Sequence, residues 1–219
     1  LVFATTRSDD DTVPADTPSR GGDRLGTATV VRFTVPPMRP SVWMRTSGNS
    51  SLHNAYEPSV VYLDAVNTPR ADVSLYSVPL DDYLRLTVSD SAWEVWDDYA
   101  PDASRRVRAW SVDTSDDVDV TRRVSTTLST ARDGRLAPGI YYVHVDKSNR
   151  YLPVVSATNL TMKRTQSEVL VWATDLRTAE PVRNLPVAVY DRPGTPLARG
   201  ATGPDGVFRA TFARRPDAW

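Results

Sequence analysis

Residues 185–212 read LPVAVYDRPGTPLARGATGPDGVFRATF, and they carry the clearest β-strand pattern in the sequence. Short runs of alternating apolar side chains at 187–190, 197–201 and 207–212 are separated by Pro-Gly and Gly-Pro-Asp-Gly. Alternation with a period of two places every second side chain on one face of a strand, and Gly, Pro and Asp favour tight reversals. The stretch therefore predicts three consecutive β-strands joined by turns.

The same pattern recurs along the chain, at roughly the 8–12-residue spacing of strands in a sandwich or barrel. The 17 prolines among 219 residues disfavour long helices and suit strand starts, edge strands and connections. The predicted fold class is all-β, with tandem immunoglobulin-like β-sandwich domains and one short helix. The other predicted strands are 27–35, 59–65, 73–78, 84–89, 105–112, 140–145, 152–157 and 168–174.

The one predicted helix covers residues 92–99. The Ser-Asp-Ser sequence at 89–91 offers an N-cap, and Pro101 ends the helical pattern. Trp93 and Trp96 are three residues apart and therefore share one helical face. A single short helix among many strands indicates a decorated all-β domain and excludes an α/β fold.

Composition shifts divide the chain into three parts. Residues 1–38 are interpreted as a linker and the closing strand of an upstream sandwich, because 5–24 are polar and read as a long loop. Residues 39–148 are expected to form one β-sandwich and 149–219 a second, truncated sandwich. The polar residues 147–150 are expected to form a hinge between the two.

Bulk composition excludes several function classes. The 26 basic and 27 acidic residues give a net charge of −1, so no concentrated basic face is predicted for nucleic acid or an anionic membrane. The absence of cysteine excludes disulfides, thiolate metal sites and a cysteine nucleophile. No apolar run approaches a transmembrane span. The chain opens Leu-Val-Phe without a signal sequence, so we interpret it as a fragment.

Catalytic chemistry finds no support in the sequence. Nucleophilic catalysis needs a nucleophile beside a base that a third group orients. His53 and His144 are the two histidines, neither is near a G-x-S-x-G motif, and no H-x-x-x-H metal spacing occurs. Structural roles are favoured for both. We expect no catalytic residue, no cofactor and no metal site.

Two acidic clusters raise the question of calcium. They are Asp9-Asp10-Asp11 and the group formed by Asp116, Asp117 and Asp119. Oxygen-rich loops bind calcium, but the D-x-D-x-D-G pattern is absent, so solvated charge runs are favoured and calcium binding stays open. No pair of carboxylates placed for glycoside hydrolysis is identifiable among the 27 acidic residues.

Four aromatic residues lie close together in sequence, namely Trp93, Trp96, Tyr99 and Trp110. Exposed, stacked aromatic rings bind sugars or single-stranded bases. The favoured interpretation is that the helix packs Trp93 and Trp96 onto the sandwich, with Trp110 in a neighbouring strand.

Residues 154–212 carry a specific resemblance. They contain TNL at 158–160, LVWATDL at 170–176, and hairpin sequences at 178–191 and 194–208. This order resembles a macroglobulin-like domain of bacterial alpha-2-macroglobulins. Ala179-Glu180 and the 203–206 turn depart from the family pattern, and both are turn positions that bear on loop geometry.

The middle of the chain supports the resemblance. Residues 61–76 look like the family's paired strands, and PGIYYVHV at 138–145 is similar to its closing strand. The resemblance covers roughly residues 41–212. Residues 1–38 match nothing beyond a strand that closes a sandwich.

The resemblance implies a function. Members of this family trap proteases: a bait segment is cleaved, the shell rearranges, and in many members a thioester captures the attacker. That thioester needs a cysteine followed closely by Glu-Gln, so it is not in this chain, and no bait segment is identified. The implied role is a non-catalytic scaffold outside the cytoplasm, whose partners are proteases, through the full-length parent, and neighbouring domains.

Two alternatives remain open at this stage. One is a surface adhesion or carbohydrate-binding array of β-sandwiches, which an exposed aromatic platform built from Trp93, Trp96 or Trp110 would favour. The other is an accessory domain of an exported hydrolase.

Overall fold

The computed structural model describes residues 7–87, 92–114, 117–130, 134–146, 149–191 and 194–214. Strands dominate this part of the chain, and the predicted all-β class is confirmed. The elements in chain order are β1 (Arg7–Val13), β2 (Thr29–Val35), β3 (Ser41–Arg45), β4 (Ser50–Asn54), β5 (Ser59–Val66), β6 (Arg70–Ser77), α1 (Leu80–Thr87), α2 (Ala92–Asp98), a 3₁₀ turn (Ala103–Arg105), β7 (Arg106–Asp113), β8 (Arg122–Leu128), β9 (Gly139–Val145), β10 (Asn149–Ser156), β11 (Thr158–Arg164), β12 (Glu168–Asp175), β13 (Pro186–Tyr190), β14 (Pro196–Ala201) and β15 (Val207–Thr211).

The first unit is a two-stranded hairpin. Strands β1 and β2 pair antiparallel, and this corrects the prediction of a loop over residues 5–24. The acidic sequence of β1 has no apolar alternation and therefore did not predict a strand. The strand forms because its backbone pairs with β2, which is rich in β-branched residues. Asp10 also accepts a hydrogen bond of 2.8 Å from Nε of Arg32 on the partner strand. Every described side chain of β2 is exposed.

The middle unit is a sandwich of two sheets. The three-stranded sheet β3-β5-β8 packs on the five-stranded sheet β4-β10-β9-β6-β7. Alternation along β5 sends Val61, Leu63 and Ala65 into the core. The buried core side chains of both sheets include Val61, Leu63, Ala71, Val73, Leu75, Leu128, Val143, Val145, Tyr151 and Val155.

Strand β10 starts within residues 147–150, where a hinge was expected, and just after the expected domain boundary at 148. It begins at Asn149, pairs antiparallel with β9 and parallel with β4, and therefore extends the middle sheet. The reason is burial: Tyr151 and Leu152 are 4% and 0% exposed within the middle unit. We propose the domain boundary at Ala157, which alone separates β10 from β11. Residues 147 and 148 lie outside the described chain.

Helix α1 replaces the strand predicted at 84–89, so the described residues contain two short α-helices where one was expected. The alternating sequence Leu-Arg-Leu-Thr imitates a strand. The helix is favoured because Asp81 and Asp82 occupy its first turn and Leu86 becomes buried against Val78 and Tyr99. Residues 88 and 89 lie outside the described chain.

Helix α2 confirms the predicted helix at 92–99, one residue shorter at its end. Trp96 packs on the aromatic cluster around Tyr142. Neither described helix is long and apolar enough to cross a membrane.

The third unit packs a hairpin on a sheet. Hairpin β13-β14 lies against the sheet β11-β12-β15, and their contact buries Val169, Val171, Val187, Val189 and Phe208. Strand β11 is left uncovered. Its Leu160 and Met162 lie opposite Ala173 and Val171 on the core side, yet are 55% and 49% exposed.

Candidate functional site

The two histidines have structural partners. His53 Nε2 lies 2.8 Å from the Tyr151 hydroxyl, and the His144 ring stacks on Tyr142 with centroids 6.4 Å apart. Within the described ranges, no three His, Asp or Glu side chains come together in an arrangement that would hold a metal ion.

The aromatic residues that lie close together in sequence pack in two different places, with Trp96 and Tyr99 in one cluster and Trp110 in another. Trp96 and Tyr99 surround Tyr142 edge-on, with centroids 6.2 and 5.3 Å away. Trp110 packs on the sandwich core, and its indole N–H donates to Thr126 Oγ1 at 2.9 Å. The Trp93 side chain lies outside the described part of the structure. Trp96 and Trp110 therefore do not form an exposed platform.

The acidic clusters are dispersed. Asp10 pairs with Arg32, and Asp117 pairs with Arg122 at 2.6 Å. Asp119 instead accepts hydrogen bonds from Met38 and Asn67. Asp116 and the side chain of Asp9 lie outside the described part of the structure.

A first junction fixes the connector between the hairpin and the middle sandwich. The Asp119 carboxylate accepts hydrogen bonds from the backbone N–H of Met38 and from Asn67 Nδ2, at 2.8 and 2.7 Å. Asn67 Nδ2 also donates to the Met38 carbonyl at 2.6 Å. In return, the Asp119 backbone N–H donates to Asn67 Oδ1 at 2.7 Å. The backbone N–H and C=O of Met38 are thus both hydrogen-bonded by side chains from two loops of the middle sandwich.

Residue type explains why these loops take the required shape. Asn67 and Asp119 have φ of 48° and 59°, in the left-handed region. Asn and Asp tolerate this region better than other non-glycine residues, since their short polar side chains bond locally. Asn67 and Asp119 therefore both shape their own turns and hydrogen-bond the backbone of Met38.

A second junction fixes the connection between the middle sandwich and the third unit. Ala157 is the single residue between β10 and β11. Its carbonyl accepts a 2.8 Å hydrogen bond from the Leu176 backbone N–H, and Ser156 Oγ donates to the Thr158 carbonyl at 2.8 Å. The Ser156 carbonyl accepts the Ala55 backbone N–H at 2.9 Å, so the peptide units on both sides of Ala157 are hydrogen-bonded and the connector has little freedom to rotate.

Side chains close the second junction across the two units. The Tyr56 hydroxyl, on the turn after β4, donates to Asp175 Oδ2 at the end of β12. The Arg177 guanidinium carbon lies 3.9 Å from the centroid of the Tyr56 ring, a cation–π contact. Tyr56 itself is placed by Asn54, whose side chain accepts its backbone N–H at 3.0 Å.

Asp175 is held as a carboxylate. Oδ1 accepts the backbone N–H groups of Arg177 and Thr178, each at 2.9 Å, while Oδ2 accepts the Tyr56 hydroxyl. The Tyr56 hydrogen bond is the main cause that lowers the pKa of Asp175, and the same bond raises the pKa of Tyr56. The charged form of Asp175 therefore orders its own turn and the neighbouring unit together.

We expect Tyr56→Phe to loosen the second junction without unfolding either unit. The phenyl ring keeps the contact with Arg177, but the substitution removes the Tyr56 hydroxyl that bonds Asp175 across the units. Limited proteolysis should therefore cut near Ala157 severalfold faster in the variant. Tyr62→Phe, which removes a hydroxyl from the exposed outer face of β5, is the matched control and should leave the cleavage rate unchanged. Equal rates in both variants would contradict a closed junction.

A polar network lies beside this junction. Tyr151 on β10 receives contacts from Ser51 and His53, which are two residues apart on β4. Because β4 and β10 pair in parallel, with His53 opposite Val155, the network ties the edge strand to the strand that leads into the third unit. Burial lowers the pKa of His53.

We expect the chain to lose stability as the pH falls below about 6.5. The unfolded chain binds a proton at His53 near pH 6.5, whereas the folded chain does so only at a lower pH. The stabilisation is thus complete above pH 6.5 and declines below it, by at most about 1.4 kcal/mol per pH unit, until folded His53 also protonates. Urea denaturation should give a flatter pH profile for His53→Gln. Superimposable profiles would refute this role.

Fold and junctions together define a multidomain β-sandwich protein with fixed connections. Comparison with solved structures finds a similar fold in bacterial alpha-2-macroglobulins. A crystal structure of the native Escherichia coli protein spanning domains MG0-NIE-MG1 matches 97% of this chain and 69% of its own, with TM-score 0.69 and 16% identity. The structure spanning NIE-MG1 matches 82% of this chain and 89% of its own, with TM-score 0.60 and 16% identity.

A Salmonella alpha-2-macroglobulin reacted with methylamine matches 99% of this chain, with TM-score 0.70 and 14% identity, but only 13% of its own length is covered. No family model and no curated protein matches the sequence. At these identities the likeness concerns the fold. The resemblance predicted from the sequence is confirmed at that level.

Proposed function

We propose that this chain is a non-catalytic scaffold fragment of an alpha-2-macroglobulin-like, broad-spectrum protease trap. The observation that carries the proposal is the coverage of the match. One superposition takes in the hairpin, the middle sandwich, the third unit and both connectors. Sandwich domains are common to many unrelated proteins, but a match that extends over nearly the whole of this chain is a narrower likeness.

Uncovered apolar surface at both ends supports a larger parent. Strand β2 exposes Val30, Val31, Phe33 and Val35 in succession, and β11 exposes Leu160 and Met162 on its core side. Apolar side chains in such numbers favour a covering layer. Coverage agrees: the three-domain E. coli structure takes in 97% of this chain and the two-domain structure 82%. Residues 1–38 would thus close an upstream domain, and a further segment would complete the third unit.

The proposed role needs neither catalysis nor a cofactor from this fragment. Its partners would be adjacent domains of the parent and, through the parent, proteases outside the cytoplasm. The fixed junctions suit this role, since an arm that holds a shell in shape must transmit force across its domain boundaries. The packed positions of Trp96 and Trp110 remove the support that a carbohydrate-binding platform at these residues would have needed.

The intact parent protein tests the proposal. Incubated with trypsin (a serine protease) or thermolysin (a zinc protease) in separate reactions, it should be cleaved at a limited site. It should then block hydrolysis of a large protein substrate while leaving hydrolysis of a small peptide substrate intact. Two unrelated proteases are needed, since a trap acts by enclosure and is indifferent to active-site chemistry. Full activity of both proteases on the large substrate would reject the proposed function.

A further inference from the structure

The outer face of the sheet β3-β5-β8 carries an unusual set of side chains. Trp43 and Arg45 on β3, Tyr62 and Asp64 on β5, and Arg123 on β8 all point away from the core. The register explains this, since Trp43 and Arg123 lie opposite Asp64, and Arg45 lies opposite Tyr62. These five residues are called the outer-face cluster below.

An ion-pair triad forms the centre of the cluster. The Asp64 side chain is only 6% exposed. Arg123 approaches it with two nitrogens, Nε at 2.7 Å and Nη2 at 3.1 Å, and Arg45 Nε lies 3.2 Å away. The hydrogen bond from Arg123 is the main cause that lowers the pKa of Asp64, and Arg45 adds to it.

The triad leaves cationic donors facing solvent. Arg45 and Arg123 remain 57% and 53% exposed although both are fixed by the carboxylate beneath them. Each guanidinium has five N–H donors, and the contacts with Asp64 use only some of them. Two positive charges over one negative charge also leave the cluster with a net charge of +1. The site therefore offers oriented donors for an anion.

Two aromatic rings flank the triad. Trp43 is 37% exposed and Tyr62 is 49% exposed, and they are diagonal neighbours on paired strands. The strands beneath them have a buried inner face, with Val61 and Leu63 in the core, so the platform is rigid. The side chains of Ser125 and Thr127, on β8 opposite Tyr62 and Val60, keep the rest of the face small and flat.

We propose that the outer-face cluster binds an acidic saccharide, with pyranose rings resting on Trp43 and Tyr62 and a sugar carboxylate bonded by Arg45 and Arg123. Aromatic faces match the apolar C–H faces of pyranose rings, and the fixed guanidinium edges match a carboxylate. A ligand of this kind uses both features of the cluster. This site is independent of the trap function, and its residues differ from the aromatic residues that the sequence emphasised.

Other occupants use the cluster less completely. A neutral glycan leaves the cationic donors without a charged partner. A second copy of this chain would bring two like-charged clusters together if the face paired with itself, which is unfavourable. These occupants predict different outcomes in the following test.

Hyaluronan tetrasaccharide, which carries carboxylates, and neutral chitotetraose are titrated separately into the complete 219-residue chain. The Trp43 indole N–H resonance is followed by NMR. Hyaluronan tetrasaccharide should shift it saturably, with chitotetraose binding at least several-fold more weakly. The indole of Trp172, exposed on the third unit, is the internal reference and should not shift.

Variants separate the two parts of the proposed site. Trp43→Ala should weaken hyaluronan binding about tenfold or more, by analogy with the loss of the aromatic ring beneath a stacked nucleic-acid base. Arg45→Gln should weaken hyaluronan binding but not chitotetraose binding, and Asp64 would still be held by Arg123. Trp172→Ala should change neither. The proposal fails if the Trp43 resonance of the unchanged chain does not move, if both sugars bind equally, or if sedimentation shows a dimer that Trp43→Ala abolishes.

Discussion

Leu63→Ala is expected to lower the free energy of unfolding by about 2–5 kcal/mol, the usual cost of truncating a fully buried leucine. Leu63 lies in the centre of β5, has no exposed surface, and packs between the two sheets of the middle sandwich. Removal of its side chain leaves a cavity that the paired strands on both sides, β3 and β8, prevent from collapsing. Urea denaturation followed by circular dichroism measures the loss.

Val60→Ala is the matched control on the same strand. Val60 points to the outer face and is 38% exposed, so its truncation should cost no more than about 1 kcal/mol. The two substitutions test the register of β5, since a slip of one residue would exchange the buried and exposed positions. Equal losses for both would show that the two faces are not assigned as described.

Gly206→Ala is expected to destabilise the third unit by about 2–4 kcal/mol, from backbone strain and a steric clash together. Gly206 has φ of +72°, and an added Cβ would lie 2.6 Å from the Ala173 carbonyl oxygen and 2.9 Å from Pro181 Cβ. Neither neighbour can move freely. The Gly206 carbonyl accepts the Ala173 N–H at 2.8 Å, and Pro181 sits in an isolated bridge with Thr174.

Gly194→Ala separates strain from clash. Gly194 has φ of +88° in the same unit, but an added Cβ would meet nothing within 4 Å. Its substitution should therefore cost only about 1–2 kcal/mol, from the left-handed backbone alone. Urea denaturation of both variants, followed by tryptophan fluorescence, gives the comparison. A loss at Gly194 as large as that at Gly206 would contradict the close approach to β12.

Strands with a strong apolar alternation were predictable, and those without it were not. The strand predicted at 59–65 was found as β5, because its buried side alternates with an outer side. Strands β3, β4 and β8 were missed, since they are short or polar and owe their strand form to pairing with neighbours. At 84–89, local alternation pointed to a strand, but burial of Leu86 required a helix.

The junctions lay beyond sequence-based prediction for a physical reason. Tyr56 and Asp175 are 119 positions apart, and their contact depends on how two domains are placed. The sequence offered only weak signals of the first junction. Asn67 and Asp119 are residues that favour left-handed turns, but their grip on Met38 requires the folded sandwich. The outer-face cluster was equally hidden, because β3 and β8 were not recognised as strands.

The proposed scaffold role would place the functional content of this chain in the connections between its units. A connector of one residue, bonded on both sides, makes β10 and β11 parts of two domains with little independent motion. The Asn67–Asp119 grip does the same at the other end of the middle sandwich. Loss of either junction should therefore change domain orientation more than it changes the stability of any one domain.

The distance distribution between two spin labels measures directly whether the second junction is fixed. The chain contains no cysteine, so Ala109→Cys on β7 and Thr161→Cys on β11 provide unique and exposed attachment sites on the middle and third units. A fixed second junction predicts one narrow distribution that broadens when Tyr56→Phe and Asp175→Asn are introduced together. A broad distribution in the otherwise unchanged chain, unaffected by those two substitutions, would contradict it.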